Sequence, residues 1–327
     1  MKLWTVGDAV IDLLPQPDRQ YKACAGGAPL NVAVGAARLG CDCGFIGRVG
    51  DDPFGHFLRQ TLYSEGVATQ YIQFDEQYHT STVLVALGED GDRSFTFLVN
   101  PSADQFLSSK NLPDLGDDIL HFCSLALVAK QSRETLVKAM SLIKQRGGIL
   151  SFDVNLRETM WENPQEMLAT VTQFANQSDI LKLSEEELYW ITGTTHYEKA
   201  LEILKRFPSG LKIVTCGSQG AIVLWQDLAI HVDSYKVNSL DTTGAGDAFI
   251  AGLLANISLG NGLLDFEQLK SALMQASACG ALATTQKGAL SALPDAEGVR
   301  SFIGSENRLT FKVNSIKPHE CNAADLL

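Results

Sequence analysis

Short apolar runs alternate with longer segments of helical periodicity from residue 118 onward, and this alternation constrains the fold more than any other feature. The predicted strands lie at 118–123, 149–153, 179–183, 211–215 and 220–225. The predicted helices lie at 131–146, 163–176, 184–192, 197–207, 247–258 and 267–285. Strands that are separated by helices usually pair in parallel, and the helices then cover both faces of the sheet. The pattern therefore predicts an α/β protein with a mostly parallel central sheet.

The first hundred residues add the signals of a second, smaller sheet. Two runs with alternating polarity, 80–88 and 93–99, are separated by Glu89-Asp90-Gly91-Asp92, and an Asp-Gly pair between such runs is a strong hairpin signal. The apolar segment 2–14, which contains Asp8, is interpreted as a strand that ends in a loop. The remaining predicted elements of this region are a helix at 29–39, a strand at 43–49 and a helix at 53–66.

Length and charge limit the class of protein. The 327 residues are 45% hydrophobic and 20% charged, an ordinary globular balance, and we predict one domain over 1–305 with a loosely held tail over 306–327. The net charge of −12 disfavours binding to nucleic acid and to anionic membranes, which requires basic patches. No apolar run is long enough to predict a membrane span.

The N-terminus and the cysteines indicate the compartment. Asp8 and Asp12 interrupt the apolar N-terminal run, which argues against a signal peptide. The seven cysteines are scattered, and Cys41 and Cys43 form a C-x-C pair without a second pair or a histidine cluster. We therefore expect reduced thiols and a cytoplasmic protein, and no zinc site.

The stretch Asp241-Thr-Thr-Gly-Ala-Gly-Asp247 contains the strongest functional signal. Its glycines allow a ligand to approach the backbone, and the apolar helix that follows directs free N–H groups and a positive dipole end at the loop. An anion would bind there, although the sequence lacks the Gly-Lys-Ser/Thr of a P-loop. A plain helix cap is the simpler alternative. We favour the anion site because the two threonines, the two glycines and Asp247 occur together.

At this point the sequence resembles a family. DTTGAGDAF (241–249) matches the C-terminal signature of the ribokinase-like, phosphofructokinase-B type sugar kinases, and two N-terminal stretches, Gly26–Ala33 and Gly47–Gly55, look like the first signature. The resemblance covers about residues 2–303. Within the family it is densest to bacterial fructokinases of the sucrose-utilisation type, and aminoimidazole riboside kinase is a similar relative. The stretches that carry this closer resemblance are GDAVIDLLP (7–15), RSFTFLVNPSAD (93–104), LKLSEEEL (181–188) and CGALATTQKGALSALP (279–294).

The resemblance implies a ribokinase-like three-layer α/β/α sandwich and ATP-dependent phosphorylation of a primary sugar hydroxyl. Phosphoryl transfer needs a group that accepts the hydroxyl proton and donors that stabilise the γ-phosphate charge. Asp247 is the acid placed to be that general base, and the backbone around Gly244, Ala245 and Gly246 would form the anion hole. Because Asp247 begins a helix, we expect its pKa to be lowered.

The sugar site is implied by polar groups from several parts of the chain. Besides Asp247, the matching positions are Asp8, Asp12, Gly26, Gly27, Asn31, Phe97 and Arg157. Asp12 lies within the apolar stretch VIDLLP, where burial of an acid without a function would be costly, so we favour a role for it in the sugar site. Asp8 as a solvated loop acid, Arg157 as a surface arginine and Phe97 as packing of the small sheet are the alternative interpretations.

The nucleotide site is predicted around the loop that follows the strand 211–215, at the carboxyl edge where α/β sheets bind ligands. The residues assigned to ATP are Lys182, Ser184, Thr215, Gly217, Ser218, Gly220, Thr243, Gly246 and Ser277. In Ser184-x-x-Glu187 the serine replaces the asparagine of the family motif, and Glu187 would help to hold Mg²⁺ through water. An exposed lysine and a helix-surface acid are the alternatives for Lys182 and Glu187.

The resemblance further implies a K⁺ site and a dimer. The matching cation positions are Asp241, Thr243, Ala283, Gln286 and Gly288, while Ala292 stands where some relatives have a serine. The lid, from about 12–24 and 70–100, would pair with a second copy and close over the sugar. The implied substrate is D-fructose. Aminoimidazole riboside, ribose or 2-keto-3-deoxygluconate remain alternatives, as does a non-catalytic sugar- or nucleoside-binding protein.

Overall fold

The computed structural model describes residues 1–87, 93–262, 265–304 and 309–315. Its strands are β1 Leu3–Val6, β2 Val10–Pro15, β3 Tyr21–Gly26, β4 Cys43–Gly50, β5 Ile72–Asp75, β6 Thr82–Leu87, β7 Arg93–Phe97, β8 Ile119–Cys123, β9 Ile149–Asp153, β10 Ile180–Ser184, β11 Leu211–Thr215, β12 Ala221–Trp225, β13 Leu228–Val232 and β14 Phe311–Ser315. Its helices are α1 Ala28–Arg38, α2 Pro53–Ser64, α3 Lys130–Gln145, α4 Pro164–Ala175, α5 Glu185–Thr192, α6 Tyr197–Lys205, α7 Ala245–Leu259, α8 Phe266–Ala283 and α9 Ala296–Gly304.

The central sheet has the strand order β14-β13-β12-β11-β10-β9-β8-β1-β4-β5. The strands from β11 to β5 are parallel, and β12, β13 and β14 add an antiparallel edge. The chain runs outward from β1 in both directions, first to β4 and β5 and later to β8 and β9. This reversal opens a crevice at the carboxyl ends of the central strands, where open α/β sheets bind ligands.

Two separate layers of helices bury the two faces of this sheet. Helices α1, α7 and α8 pack into one apolar cluster, and α3, α4, α5 and α6 pack into the other. In α3 the buried residues Leu136, Ala139, Met140 and Ile143 follow the 3–4 spacing of an amphipathic helix. In α7 almost every side is buried, because α1 and α8 flank it. The predicted three-layer α/β/α sandwich is confirmed.

A second sheet of four strands, ordered β3-β2-β6-β7, lies beside the crevice. The predicted hairpin is present, because β6 and β7 pair antiparallel with Val83 opposite Phe97; its turn lies outside the described residues. The lid prediction was wrong in one part. Residues 72–75 form β5 of the central sheet, so within 70–100 the small sheet begins at Thr82.

The apolar N-terminal segment is two strands rather than one. β1 belongs to the central sheet and β2 to the small sheet, with Asp8 in the connection between them. The prediction of a loose tail from 306 was also wrong for Phe311–Ser315, which pair with β13 as the edge strand β14. Residues 316–327 lie outside the described residues. Among the helices of the described residues, none combines the length and the apolar character needed to cross a bilayer.

Candidate active site

A cleft of about 490 Å³ lies at the carboxyl ends of β1, β8, β9 and β10 and beneath the small sheet. Many of the predicted site residues meet there although they are far apart in sequence. The predicted residues that line it are Asp8, Asp12, Gly27, Asn31, Phe97, Arg157, Lys182, Ser184, Glu187, Thr243, Gly244, Gly246 and Asp247. The fold therefore brings the residues predicted to bind the sugar and those predicted to bind the phosphates into one cleft.

Other predicted residues do not line this cleft. They are Gly26, Thr215, Gly217, Ser218, Gly220, Asp241, Ala245, Ser277, Ala283, Gln286 and Gly288. Gly26 still contributes by its size, because the Asp12 carboxylate occupies the space that a Cβ at position 26 would need. The loop 217–220 begins two residues after Thr215, which pairs with Ser184 in the parallel register of β10 and β11. It is therefore next to the end of the cleft that Ser184 lines.

Asp247 lies in the first turn of α7 and is only 8% exposed. Its Oδ2 accepts a hydrogen bond from Asn31 Nδ2 at 2.8 Å, and its Oδ1 accepts one from Asn155 Nδ2 at 3.4 Å. The Oδ1 of Asn31 is buried and has no partner in the described part of the chain. An unsatisfied buried acceptor beside a carboxylate would bind a donor such as a sugar hydroxyl.

The expected lowering of the Asp247 pKa is wrong. Burial raises the pKa of this carboxyl above its ordinary value of 3.8. The hydrogen bond from Asn31 and the charges of Lys182 and Arg157 lower it, but they do not outweigh the loss of hydration. A raised pKa makes the carboxylate a stronger base, which suits proton transfer from a hydroxyl.

The N-terminus of α7 has the geometry of an anion site. Gly244 precedes the helix with φ of +75°, and a Cβ there would lie 2.9 Å from the Cβ of Ala289, so only glycine fits. Within the described residues, the N–H groups of Gly246 and Asp247 have no backbone acceptor. The N–H of Ala245 donates to Thr242 O at 3.2 Å, so this member of the predicted anion hole is already engaged.

Lys182 forms a buried ion pair that the sequence did not indicate. Its Nζ lies 2.9 Å and 2.8 Å from the two carboxylate oxygens of Asp153, and neither side chain is more than 7% exposed. Burial alone would lower the pKa of Lys182, but the charges of Asp153, Glu187 and Asp247 raise it above the ordinary value. The lysine is therefore a fixed positive charge beside Gly246, 3.1 Å from where a Cβ at that position would stand.

Glu187 and Ser184 form a capping box at the start of α5. Ser184 Oγ accepts from the Glu187 N–H at 3.2 Å, and Glu187 Oε2 accepts from the Ser184 N–H at 2.7 Å. Glu187 Oε1 accepts from the Leu156 N–H at 2.7 Å. Glu187 is thus neither a free surface acid nor an open metal ligand. It is a bonded carboxylate that lines the cleft.

Asp8 is the more deeply buried of the two N-terminal acids, so its alternative interpretation as a solvated loop acid is wrong. Asp8 is buried and Asp12 is only partly buried, because Asp8 lies in the connection beneath the small sheet whereas Asp12 faces the cleft from β2. Burial raises the pKa of Asp8 to about 7, and the neighbouring Asp104 and Asp247 carboxylates add to this effect. The charge of Arg157 opposes it.

We expect the Asp8→Asn variant without sugar to gain stability relative to the wild type as the pH rises from 5 to 8. The folded-state pKa of about 7 exceeds the unfolded value of 3.8, so the folded protein holds the extra proton and loses stability as the pH rises toward 7. Asparagine removes this loss, of which about 3 kcal/mol falls between pH 5 and pH 7. Denaturant melts at both pH values measure it, and the same difference at both would contradict it.

Arg157 and two phenylalanines of β7 line one wall of the cleft. Arg157 lines the cleft, donates from Nη1 to Leu156 O at 2.9 Å, and places its guanidinium 5.9 Å from the ring of Phe95. Phe95 and Phe97 are two residues apart on β7 and therefore lie on the same face, and both line the cleft. The sequence singled out Phe97 only. The period of two along a strand would have indicated Phe95 as well.

Asp241 fixes the loop that precedes α7. Its Oδ1 accepts from the N–H and the hydroxyl of Thr243 at 3.0 Å and 2.7 Å, and its Oδ2 accepts from the Gly288 N–H at 2.8 Å. These bonds join two of the segments predicted to hold K⁺. In the described residues no group of three or more His, Cys, Asp or Glu side chains could hold a metal ion. A cation here would need backbone carbonyls.

Sequence reasoning missed Asn155 and Asp153. Both belong to the stretch FDVNLR, from which only Arg157 was selected. Asn155 has a φ of +36°, a conformation that asparagine adopts more readily than most residues. The position of both residues at the carboxyl end of a predicted strand was the available signal.

The chain is similar to known proteins over most of its length. The model of the pfkB family carbohydrate kinases matches residues 2–296. The chain is 46% identical to the fructokinase of Escherichia coli over 295 residues, which cover 90% of this chain and 96% of that protein. The match thus extends over almost the whole of both chains.

Two solved structures have closely similar folds. One is a double mutant of the fructokinase from Vibrio cholerae O395 in its fructose-, ADP- and potassium-bound form, with a TM-score of 0.87, 45% identity and coverage of 92% of this chain and 97% of that chain. The other is aminoimidazole riboside kinase from Salmonella enterica with aminoimidazole riboside and an ATP analogue, with a TM-score of 0.87, 37% identity and coverage of 93% and 100%.

Proposed function

Since this chain belongs to the pfkB family of carbohydrate kinases, we propose that it transfers the γ-phosphoryl group of ATP to D-fructose and releases D-fructose 6-phosphate and ADP. The family and its kinase activity follow from matches along almost the whole chain. The choice of fructose rests on the greater identity to fructokinase, 46%, than to aminoimidazole riboside kinase, 38%.

The juxtaposition at the start of α7 carries this proposal. The Asp247 carboxylate is held by two side-chain amides, and it adjoins the N–H groups of Gly246 and Asp247, which have no backbone acceptor among the described residues. A sugar hydroxyl beside Asp247 would lose its proton to the carboxylate as its oxygen attacks the γ-phosphorus. The N–H groups of Gly246 and Asp247 would then receive the phosphoryl oxygens. One turn of helix thereby supplies both base and charge stabilisation.

We propose that the sugar occupies the part of the cleft beneath the small sheet. Asp8, Asp12 and the free Oδ1 of Asn31 would accept hydrogen bonds from its hydroxyls, and the backbone at Gly27 would allow close approach. Phe95 and Phe97 would pack on the ring, and Arg157 would donate to its oxygens. Closure of the small sheet over this part would exclude water and limit ATP hydrolysis.

ATP is proposed to bind toward the loop 215–220. Lys182 and the α7 N-terminus would contact its phosphates, and Ser277 of α8 would lie toward the nucleotide, as the family resemblance implies. Glu187 has further lone pairs on oxygens that already accept backbone N–H groups, so it fits a water-mediated contact to Mg²⁺. When bound, Mg²⁺ neutralises charge on the phosphates.

The potassium-bound Vibrio cholerae relative supports a K⁺ site beside the anion loop. The donors would be backbone carbonyls near Thr243, Ala283 and Gln286, which suit a hard cation. Asp241 would hold the two loops together and add negative charge nearby. We infer that K⁺ would order the loop that forms the anion hole.

The small sheet supports a homodimer and the thiols support a cytoplasmic location. Tyr21 in β3 and Leu98 directly after β7 are each 52% exposed, and a second copy of the chain would cover them. The six cysteines of the described residues are unpaired, which suits a reducing compartment.

A coupled ADP-release assay tests the substrate directly. We expect turnover with D-fructose to exceed turnover with ribose, aminoimidazole riboside and 2-keto-3-deoxygluconate at equal concentration. Higher kcat/KM with aminoimidazole riboside would favour the second candidate, which the similarity to the Salmonella enterica enzyme supports. Product analysis by phosphorus NMR would distinguish the 6-phosphate from the 1-phosphate ester.

A further inference from the structure

We propose that Asn155 is a positioning residue for Asp247, whose amide holds the carboxylate in the orientation that accepts the hydroxyl proton. This inference rests on the proposed role of Asp247 as the base. Asn155 belongs to the connection after β9, and its amide contacts the carboxylate oxygen that Asn31 does not contact. Neither residue is near Asp247 in sequence, and only the fold brings the three together.

The two amides bind different oxygens of the same carboxylate. Asn31 donates to Oδ2 at 2.8 Å and Asn155 donates to Oδ1 at 3.4 Å. One hydrogen bond would leave the carboxylate free to rotate about its last side-chain bond, whereas two bonds to two oxygens fix its plane. Such contacts are often long before substrate binds and shorten in the reacting complex. Oδ1, with the longer bond, retains acceptor capacity for the substrate proton.

The backbone of Asn155 is held in a rarely adopted conformation. Its φ is +36°, and its carbonyl oxygen accepts from the buried Ser124 Oγ at 3.0 Å. The next N–H, that of Leu156, donates to Glu187 at 2.7 Å. Hydrogen bonds with Ser124, directly after β8, and with Glu187 of α5 therefore hold the backbone on both sides of Asn155. Strained residues that are held in this way are common at functional sites.

A simpler explanation is that asparagine is present only because it tolerates positive φ. Glycine tolerates that conformation better than any other residue. If the backbone were the only requirement, Asn155→Gly would leave activity unchanged or raise stability. If the amide orients Asp247, the same variant would stay folded and become slow. The glycine variant thus separates the two explanations.

The charged and titratable groups that surround Asp247 come from five elements. They are Asp8 after β1, Cys123 of β8, Asp153 of β9, Arg157 of the connection after β9 and Lys182 of β10. Asn155 itself is neutral and donates a hydrogen bond to the charged form of Asp247, which favours that form. Loss of the amide should therefore move the acid limb of the pH profile upward.

The test compares Asn155→Gly, Asn155→Asp and the wild type in steady-state kinetics from pH 5 to pH 9. For Asn155→Gly we expect kcat at pH 7.5 to fall about tenfold to a hundredfold with fructose KM within about threefold of the wild type. The acid limb of the kcat profile should move to higher pH by roughly half a unit. Asn155→Asp keeps the shape of the side chain but adds a negative charge beside Asp247. Its acid limb should therefore move to still higher pH.

Gln226→Gly is the matched control, because Gln226 also has a positive φ, +50°, but lies in an exposed turn away from the cleft. It should keep wild-type kinetics. Wild-type kcat and pH profile in Asn155→Gly would overturn the inference, as would a fall in kcat without any movement of the acid limb. If Asp247→Asn is inactive and Asn155→Gly is normal, only this inference fails. If Asp247→Asn is active, the proposed base fails as well.

Discussion

Replacing Asp247 by Asn is expected to lower kcat for fructose by about a hundredfold or more, because the hydroxyl proton then has no acceptor. The variant keeps the shape of the side chain and the donors around it. KM values for fructose and ATP should change far less than kcat, since the lost interaction belongs to the transition state. The ADP-release assay at saturating substrate measures this effect.

The same variant should fold normally and be at least as stable as the wild type. Burial raises the pKa of Asp247, so the ionised carboxyl lowers the free energy of unfolding, and the neutral amide removes this cost. Asp227→Asn is the matched control, because Asp227 is exposed in the turn between β12 and β13 and should affect neither property. Near-normal turnover by a folded Asp247→Asn protein would show that another group accepts the proton.

The second large effect is expected at the buried pair Lys182–Asp153. Lys182→Met removes the positive charge and leaves the fully buried Asp153 carboxylate without its partner. Breaking a buried ion pair in this way destabilises a protein by roughly 3–5 kcal/mol. Chemical denaturation at pH 8, above the pKa of about 7 to which burial raises Asp153, should show the loss as a lower transition midpoint with an unchanged slope.

The double variant Lys182→Met/Asp153→Asn distinguishes this cause from a packing defect. It carries neither charge, so we expect most of the lost stability to return while turnover stays low. Lys144→Met provides the surface comparison, because the Lys144–Asp179 pair is about half exposed and should contribute less than about 1 kcal/mol. Equal destabilisation of the single and double variants would attribute the loss to packing of the methionine instead.

Residues 118–285 show how far local patterns reach. Every strand and helix predicted there is present within a few residues of its predicted bounds, because each pattern reflects a face that must be buried. The same reasoning missed β13 and β14 and placed β5 in the lid. The partner of β14 is β13, which lies far before it in sequence, so nothing local indicates which sheet β14 joins.

The candidate site divides in a similar way. The sequence by itself determined Asp247 and its glycine loop, because a helix N-terminus and a positive φ are local requirements. Only the tertiary structure decided that Asp8 is more deeply buried than Asp12, that Lys182 pairs with Asp153, and that Asn155 reaches Asp247. Burial, electrostatic fields and pKa values are sums over groups that meet only after folding, and no run of neighbouring residues contains them.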